Sequence, residues 1–167
     1  GFVGSNLVAA HGFSMCCNRK NIQESYGSKP DCLVYSGVPA EMFLANQNPE
    51  ADLALMEQAI DNMRKIQPKS IVLISTIAVY PDTHGANEDT EIDISRLTAY
   101  GANRLTLERW VEQEFEHHLI VRLPAIYGLN LNKNFIYDYI NYIPAMLTEE
   151  KYQQFSRQET LLADCYE

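Results

Sequence analysis

Three short segments bring together residue types that can move a proton. Ser75-Thr76-Ile77-Ala78-Val79-Tyr80 carries hydroxyls at the end of an apolar run. Tyr100 opens the next amphipathic stretch, and Arg122-Leu123-Pro124-Ala125-Ile126-Tyr127-Gly128 closes a further apolar run. A hydroxyl at a strand end and a tyrosine at the start of the following helix suit proton transfer at one oxygen. A phenol ordinarily loses its proton near pH 10, so a tyrosine acting as general acid or base requires a cation nearby.

A second feature suits an anion. The chain opens on Gly1-Phe2-Val3-Gly4-Ser5-Asn6-Leu7. That spacing matches the last two glycines of the turn that joins strand to helix in a dinucleotide-binding βαβ unit. The backbone of Gly1, Phe2, Val3 and Gly4 would then approach a pyrophosphate, and a helix from Ser5 would aim its free N–H groups at it. No strand, first glycine or initiator Met precedes Gly1, so the chain reads as one that begins inside its first motif. Alone, the pattern fits a loop glycine pair before a surface helix equally well.

Such residues must be held by regular elements, and the chain alternates apolar runs with amphipathic stretches. Phe13 to Cys17, Asp31 to Tyr35, Ser70 to Ser75 and Leu119 to Leu123 are the apolar runs. Ser70-Ile71-Val72-Leu73-Ile74-Ser75 is apolar throughout, as a strand covered on both faces should be. Pro49 to Ile66 places Leu53, Met56, Ile60 and Met63 at helical spacing, and Tyr100 to Phe115 is a further helix. Pro81 to Ile94 is an acidic, polar loop. The order predicts an α/β fold with a doubly wound parallel sheet, whose ligands bind outside the carboxyl ends of the strands. A dinucleotide-binding domain over residues 1–127 would be followed by a partial substrate-binding cap over 128–167.

Composition sets limits. A chain of 167 residues can bury one sizeable core. The net charge of −9 disfavours nucleic acid and anionic membrane as partners, since both call for clustered Lys and Arg. No apolar stretch approaches a membrane span, and no signal peptide is evident. The cysteines lack metal-binding spacing. Adjacent Cys16-Cys17 in an apolar run reads as a pair of buried thiols, which places the chain in a reducing cytosol.

Taken in order, G-F-V-G-S-N-L (1–7), D-C-L-V-Y-S-G (31–37), S-T-I-A-V-Y (75–80), Y-G-A-N-R (100–104) and R-L-P-A-I-Y-G (122–128) resemble the extended short-chain dehydrogenase/reductase family, the NAD(P)-dependent epimerases and dehydratases of nucleotide sugars. The resemblance covers residues 1–128 and implies a Rossmann-like sheet. It implies that Tyr100 is the catalytic tyrosine and that Thr76 binds the substrate oxygen. Tyr80, four residues beyond Thr76, falls on the substrate side. Ser36 and Gly37 stand where small residues face the cofactor's phosphates and adenosine, and Leu123, Pro124 and Ala125 match the strand end that meets the nicotinamide carboxamide.

The chain departs from that family in the stretch from Gly4 to Asp31, which is shorter than expected, and at two further places. Arg104 replaces the lysine expected four residues after the tyrosine. Positions i and i+4 share a helix face, so Arg104 is expected to hold the ribose and favour the ionised form of Tyr100, although arginine cannot relay a proton. An Asn common on the preceding helix has no clear counterpart in Glu50-Ala51-Asp52. Asn18-Arg19-Lys20 lies where an NAD site would carry an acid for the ribose hydroxyl. The absence of an acid there favours NADP over NAD, with Asn18 and Arg19 at the adenosine end.

Plainer readings stand beside these. Tyr100 could pack its ring under a loop, Thr76 could merely end a strand, Arg104 could be a surface partner of Glu108, and Arg19 could sit in a solvated turn. His117-His118 reads as a solvated helix end, and Asp82, Glu88, Asp89, Glu91 and Asp93 as a solvated face, so no metal is expected. Within 130–142, Asn134 and its neighbours form either a wall for sugar hydroxyls or a helix with Phe135, Ile136 and Tyr139 in a core. The expected activity is hydride transfer to or from a sugar, in reductase, epimerase or dehydratase form. The alternative is a catalytically silent NADP-binding module. A homodimer is compatible with either.

Overall fold

The computed structural model describes residues 1–128 together with Leu131, Tyr137, Ile140 and Gln153. Its centre is strand β2, Ser70–Thr76, a β-branched apolar run that suits a pleated, buried surface. Strand β1, Cys32–Tyr35, lies on one side and β3, His118–Leu123, on the other. Both pair with β2 in parallel, in the order β1-β2-β3. The register sets Ser75 beside Arg122 and Thr76 beside Leu123. The expected parallel α/β, Rossmann-like architecture is therefore present.

Parallel neighbours need crossovers. The first contains α2, Met42–Gln47, and α3, Pro49–Ile66; the second contains α4, Ala99–Glu114. Helix α3 carries strong end signals. Asn48 caps it by accepting from the Ala51 N–H at 3.2 Å, Pro49 occupies its first turn, Glu50 and Asp52 meet the positive end of the dipole, and Arg64 and Lys65 meet the negative end. Gln67 closes it in the left-handed region at φ 59°. Met56 and Met63 of α3, Leu107 and Val111 of α4, and Ile71 and Leu73 of β2 form the main core with Tyr35. A smaller cluster of Val79, Tyr80 and Leu105 lies under the 77–97 segment.

Three expectations change. Helix α1 runs Phe2–Ala10, beginning three residues before Ser5, so Gly4 lies inside its first turn. Residues 13–17 form no strand, since they hydrogen-bond to no neighbouring strand, and Cys16 and Cys17 are exposed rather than buried. Strand β2 is buried on one face only: Ile71 and Leu73 are buried, while Val72 and Ile74 are half-buried. Helix α2 was not anticipated. The chain divides into two compact units, Gly1 with residues 3–126, and Phe2 with residues 127–167. Asn134, expected to face a substrate, lies outside the described residues. Among the described residues, no helix is long and apolar enough to cross a membrane.

Candidate active site

The corner after β2 carries Thr76 and lies against α4, the helix that bears Tyr100. Thr76 ends the strand and caps the short 3-10 turn Ile77–Val79, its Oγ1 accepting the Ala78 N–H at 3.1 Å. Because Oγ1 accepts there, its own O–H can donate elsewhere. Helix α4 packs on that turn so closely that a Cβ on Gly101 would drive into the Ala78 carbonyl oxygen. Only glycine permits this approach, which sets the start of α4, next to Tyr100, against the turn that follows β2. Gly101 was not singled out from the sequence, although it stands within the Y-G-A-N-R segment.

The N-terminus of α4 is held twice more. Thr98 caps it by accepting from Gly101 N–H at 3.4 Å, and Asn46 of α2 accepts the Tyr100 N–H at 3.0 Å. Tyr100 is 5% exposed. Its hydroxyl makes no hydrogen bond among the described residues.

Arg104 takes a different partner from the ones expected. It is buried, with Nη1 donating to Asp52 Oδ2 at 2.8 Å and Nη2 to Asp52 Oδ1 at 3.1 Å. Nη2 also donates to the Pro39 carbonyl at 2.7 Å, and Nη1 to Met56 Sδ at 3.5 Å. It is thus neither a surface residue nor a partner of Glu108. Its Cζ lies 4.3 Å from the Tyr100 ring centroid, a cation over an aromatic face. Asp52, which had no assigned role, is the buried counterion. The available signal was its spacing: Asp52, Met56, Ala59, Met63 and Ile66 continue one buried stripe of α3, and a carboxylate on such a stripe needs a cation.

A second ionic cluster was also missed. Glu108 is fully buried and receives Arg122 Nη2 at 2.8 Å and Nε at 3.1 Å. Ser75 Oγ donates to Glu108 Oε1. Arg122 Nη1 donates to the Tyr80 hydroxyl, which itself donates to the Asn87 carbonyl at 2.8 Å. Burial opposes the Arg122 charge, but the hydrogen bonds and charge of Glu108 outweigh it and raise the guanidinium above its ordinary pKa. Tyr80 was expected at the substrate. It is 8% exposed and its hydroxyl is already engaged on both sides.

The residues expected at a dinucleotide divide into two groups. Gly1 is the N-cap of α1, with open space where a side chain would stand, and a Cβ on Gly4 would come within 3.1 Å of Ser36 Oγ. Glycine therefore lets the first turn of α1 lie against the residue that follows β1, while Gly37 is exposed beside it. Backbone N–H groups with no side-chain wall fit a pyrophosphate. Leu123 is half-buried at the end of β3, and Pro124 and Ala125 are exposed beyond it. Asn18 and Arg19 stand apart in an exposed turn, where Asn18 Oδ1 accepts from the Lys20 N–H at 2.8 Å. No described contact ties them to Gly4 or Ser36. Among the described residues, no three His, Cys, Asp or Glu side chains gather as a metal site.

No curated protein matches the chain. A solved structure similar to it is MlghC, the GDP-mannoheptose C4 reductase from Campylobacter jejuni with NADP bound, at 15% sequence identity and a TM-score of 0.47. The match covers 71% of this chain and 39% of that one, so this chain spans well under half of that structure's length. The sequence pattern of the NAD dependent epimerase/dehydratase family matches residues 14–162, and the chain belongs to that family.

Proposed function

We propose that the protein is an NADP-dependent oxidoreductase that acts on a sugar, in its most specific form a nucleotide sugar, as a reductase, epimerase or dehydratase. The observation that carries the reading is the close approach at Gly101, which sets the start of α4, next to Tyr100, against the turn capped by Thr76, while the Tyr100 hydroxyl has no partner among the described residues. Gly1, Gly4, Ser36 and Gly37 would hold the dinucleotide's phosphates, and Leu123 to Ala125 its nicotinamide end. The bound nicotinamide supplies or receives the hydride. Tyr100 gives or takes the proton of the reacting hydroxyl, and Thr76 donates to the same oxygen. Arg19, in its exposed turn, would hold the 2′-phosphate. A homodimer in a reducing, cytosolic compartment completes the proposal, consistent with free Cys16, Cys17 and Cys32.

The test is cofactor binding and turnover with a panel of nucleotide sugars, followed by nicotinamide absorbance. A charge-assisted hydrogen bond contributes about 1.5–3 kcal/mol, so NADPH should bind about 10- to 150-fold more tightly than NADH, and Arg19→Ala should erase most of the gap. Equal affinities in the parent protein would remove the case for NADP. Tight cofactor binding without turnover on any sugar would favour the silent module.

A further inference from the structure

Arg104 occupies the position from which a cation would reach the ribose, but its donors point elsewhere. A guanidinium has five N–H donors. Four are taken by Asp52, Met56 and Pro39, which leaves the Nε–H alone. The two charged side chains are 5% and 6% exposed. Asp52 is itself fixed: Oδ2 also accepts Asn103 Nδ2 at 2.9 Å, and that amide donates to the Pro49 carbonyl at 3.0 Å. The carboxylate cannot follow Arg104 outward without breaking the contact between α3 and α4.

We propose that Asp52 is a positioning residue, which holds the Arg104 guanidinium against the face of the Tyr100 ring and away from the cofactor. The inference rests on the reading of Tyr100 as the proton-transfer group. The bidentate pairing fixes the plane of the guanidinium, and the plane fixes the ring that lies 4.3 Å from it. Arg104 then acts through where Tyr100 points, and the cofactor gains no contact from it. The two departures from the family pattern, at positions 52 and 104, become one: an acid and a base that share a buried contact.

The roles separate in kinetics, because loss of positioning lowers kcat while loss of a cofactor contact raises the cofactor Kd. A misplacement of about 1 Å can cost about 100-fold in rate, so Asp52→Asn and Arg104→Met should each lower kcat by at least about tenfold, with the NADPH Kd within about threefold of the parent. Either single variant leaves a buried group unpaired and can fail to fold. Asp52→Leu with Arg104→Met removes both charges, and apolar replacement of a buried pair is often neutral for stability. That double variant should melt near the parent and keep the low kcat. If it recovers both melting and kcat, the pair is only a latch between helices and the proposal falls. If Arg104→Met raises the NADPH Kd by about tenfold or more with kcat unchanged, Arg104 holds the cofactor and the proposal also falls. A parent protein that binds no dinucleotide overturns the functional reading, and this inference with it.

Discussion

Helix α4 takes part in two buried arginine–carboxylate pairs, and each arginine lies against a tyrosine. At the N-terminal half, Arg104 pairs with Asp52 and lies 4.3 Å from the Tyr100 ring centroid. Further along, Glu108 pairs with Arg122, which lies 4.9 Å from the Tyr80 ring centroid. The parts are alike, but the hydroxyls differ. Arg122 donates to the Tyr80 oxygen, and the Tyr80 hydroxyl donates in turn to the Asn87 carbonyl. Arg104 faces only the ring of Tyr100 and leaves that oxygen unbonded among the described residues. The second region is a closed network that ties the segment after β2 to the sheet. The first sets a guanidinium against an aromatic ring whose hydroxyl has no partner among the described residues. Composition alone does not separate a tyrosine whose hydroxyl is engaged from one whose hydroxyl is not; hydrogen-bond accounting does.

The largest expected effect tests that distinction. Removing a general acid or base costs about 100- to 10,000-fold in rate, so Tyr100→Phe should lose nearly all turnover. Its melting temperature should barely move, because no hydrogen bond among the described residues is lost. Tyr80→Phe should do the reverse. Losing a charge-assisted hydrogen bond costs about 1.5–3 kcal/mol of stability, while turnover per folded molecule stays within a few-fold. Kinetics and thermal melting on both variants decide the matter. Comparable loss of turnover in Tyr80→Phe would make both tyrosines functional and break the comparison.

The next effect is on stability. Removing one partner of a buried ion pair costs about 3–5 kcal/mol, because the other charge is left uncompensated. Glu108→Gln keeps the shape, and the Arg122 side chain is 19% exposed, so the lower end, about 3 kcal/mol, is expected. The segment after β2 should also exchange its amides faster, since its anchor through Ser75, Arg122 and Tyr80 is loosened. Denaturant melts and hydrogen exchange check both. If Glu108→Gln melts like the parent, the closed network contributes little, and the contrast between the two regions is one of geometry alone.

The limits of sequence reasoning are instructive in the same places. Helix Pro49–Ile66 was legible to the residue because its cap, first-turn proline, terminal charges and apolar stripe agree. The strands Ser70–Thr76 and His118–Leu123 were legible from β-branched apolar runs. Residues 13–17 looked similar yet form no strand, because a short apolar run does not say whether a neighbour stands beside it to accept its hydrogen bonds. Thr76 and Tyr100 were singled out from spacing and resemblance. Their supports were not. Arg104 and Glu108 lie four apart on α4, which suggests a pair along the helix, yet each meets a partner on another element. Such pairings depend on how α3 and β3 cross α4, and local spacing carries no record of it. Gly101 was hidden for the same reason, since its need for glycine comes from the Ala78 carbonyl on the facing turn.

The smallest expected effect serves as a control for both buried pairs. Asp31 and Lys69 bond at 2.7 Å where β1 and β2 begin, with side chains 89% and 72% exposed. The hydrogen bond and charge of Lys69 hold the Asp31 carboxyl below its ordinary pKa, and Asp31 raises the Lys69 ammonium above its own. A depressed carboxyl contributes stability above its unfolded pKa and loses it as pH falls through the lower folded value. A raised ammonium contributes below its unfolded pKa and loses it as pH rises through the higher folded value. The pair therefore acts only between acid and strongly alkaline pH. Water and salt screen so exposed a contact, so Asp31→Asn should melt almost with the parent at neutral pH. Any small difference should shrink further with added salt and vanish below the carboxylate range. Melts across pH and salt test this directly. A loss at neutral pH as large as that of Glu108→Gln would mean that burial is not what separates structural ion pairs from solvated ones in this fold, and the contrast between α4's two ends would need another cause.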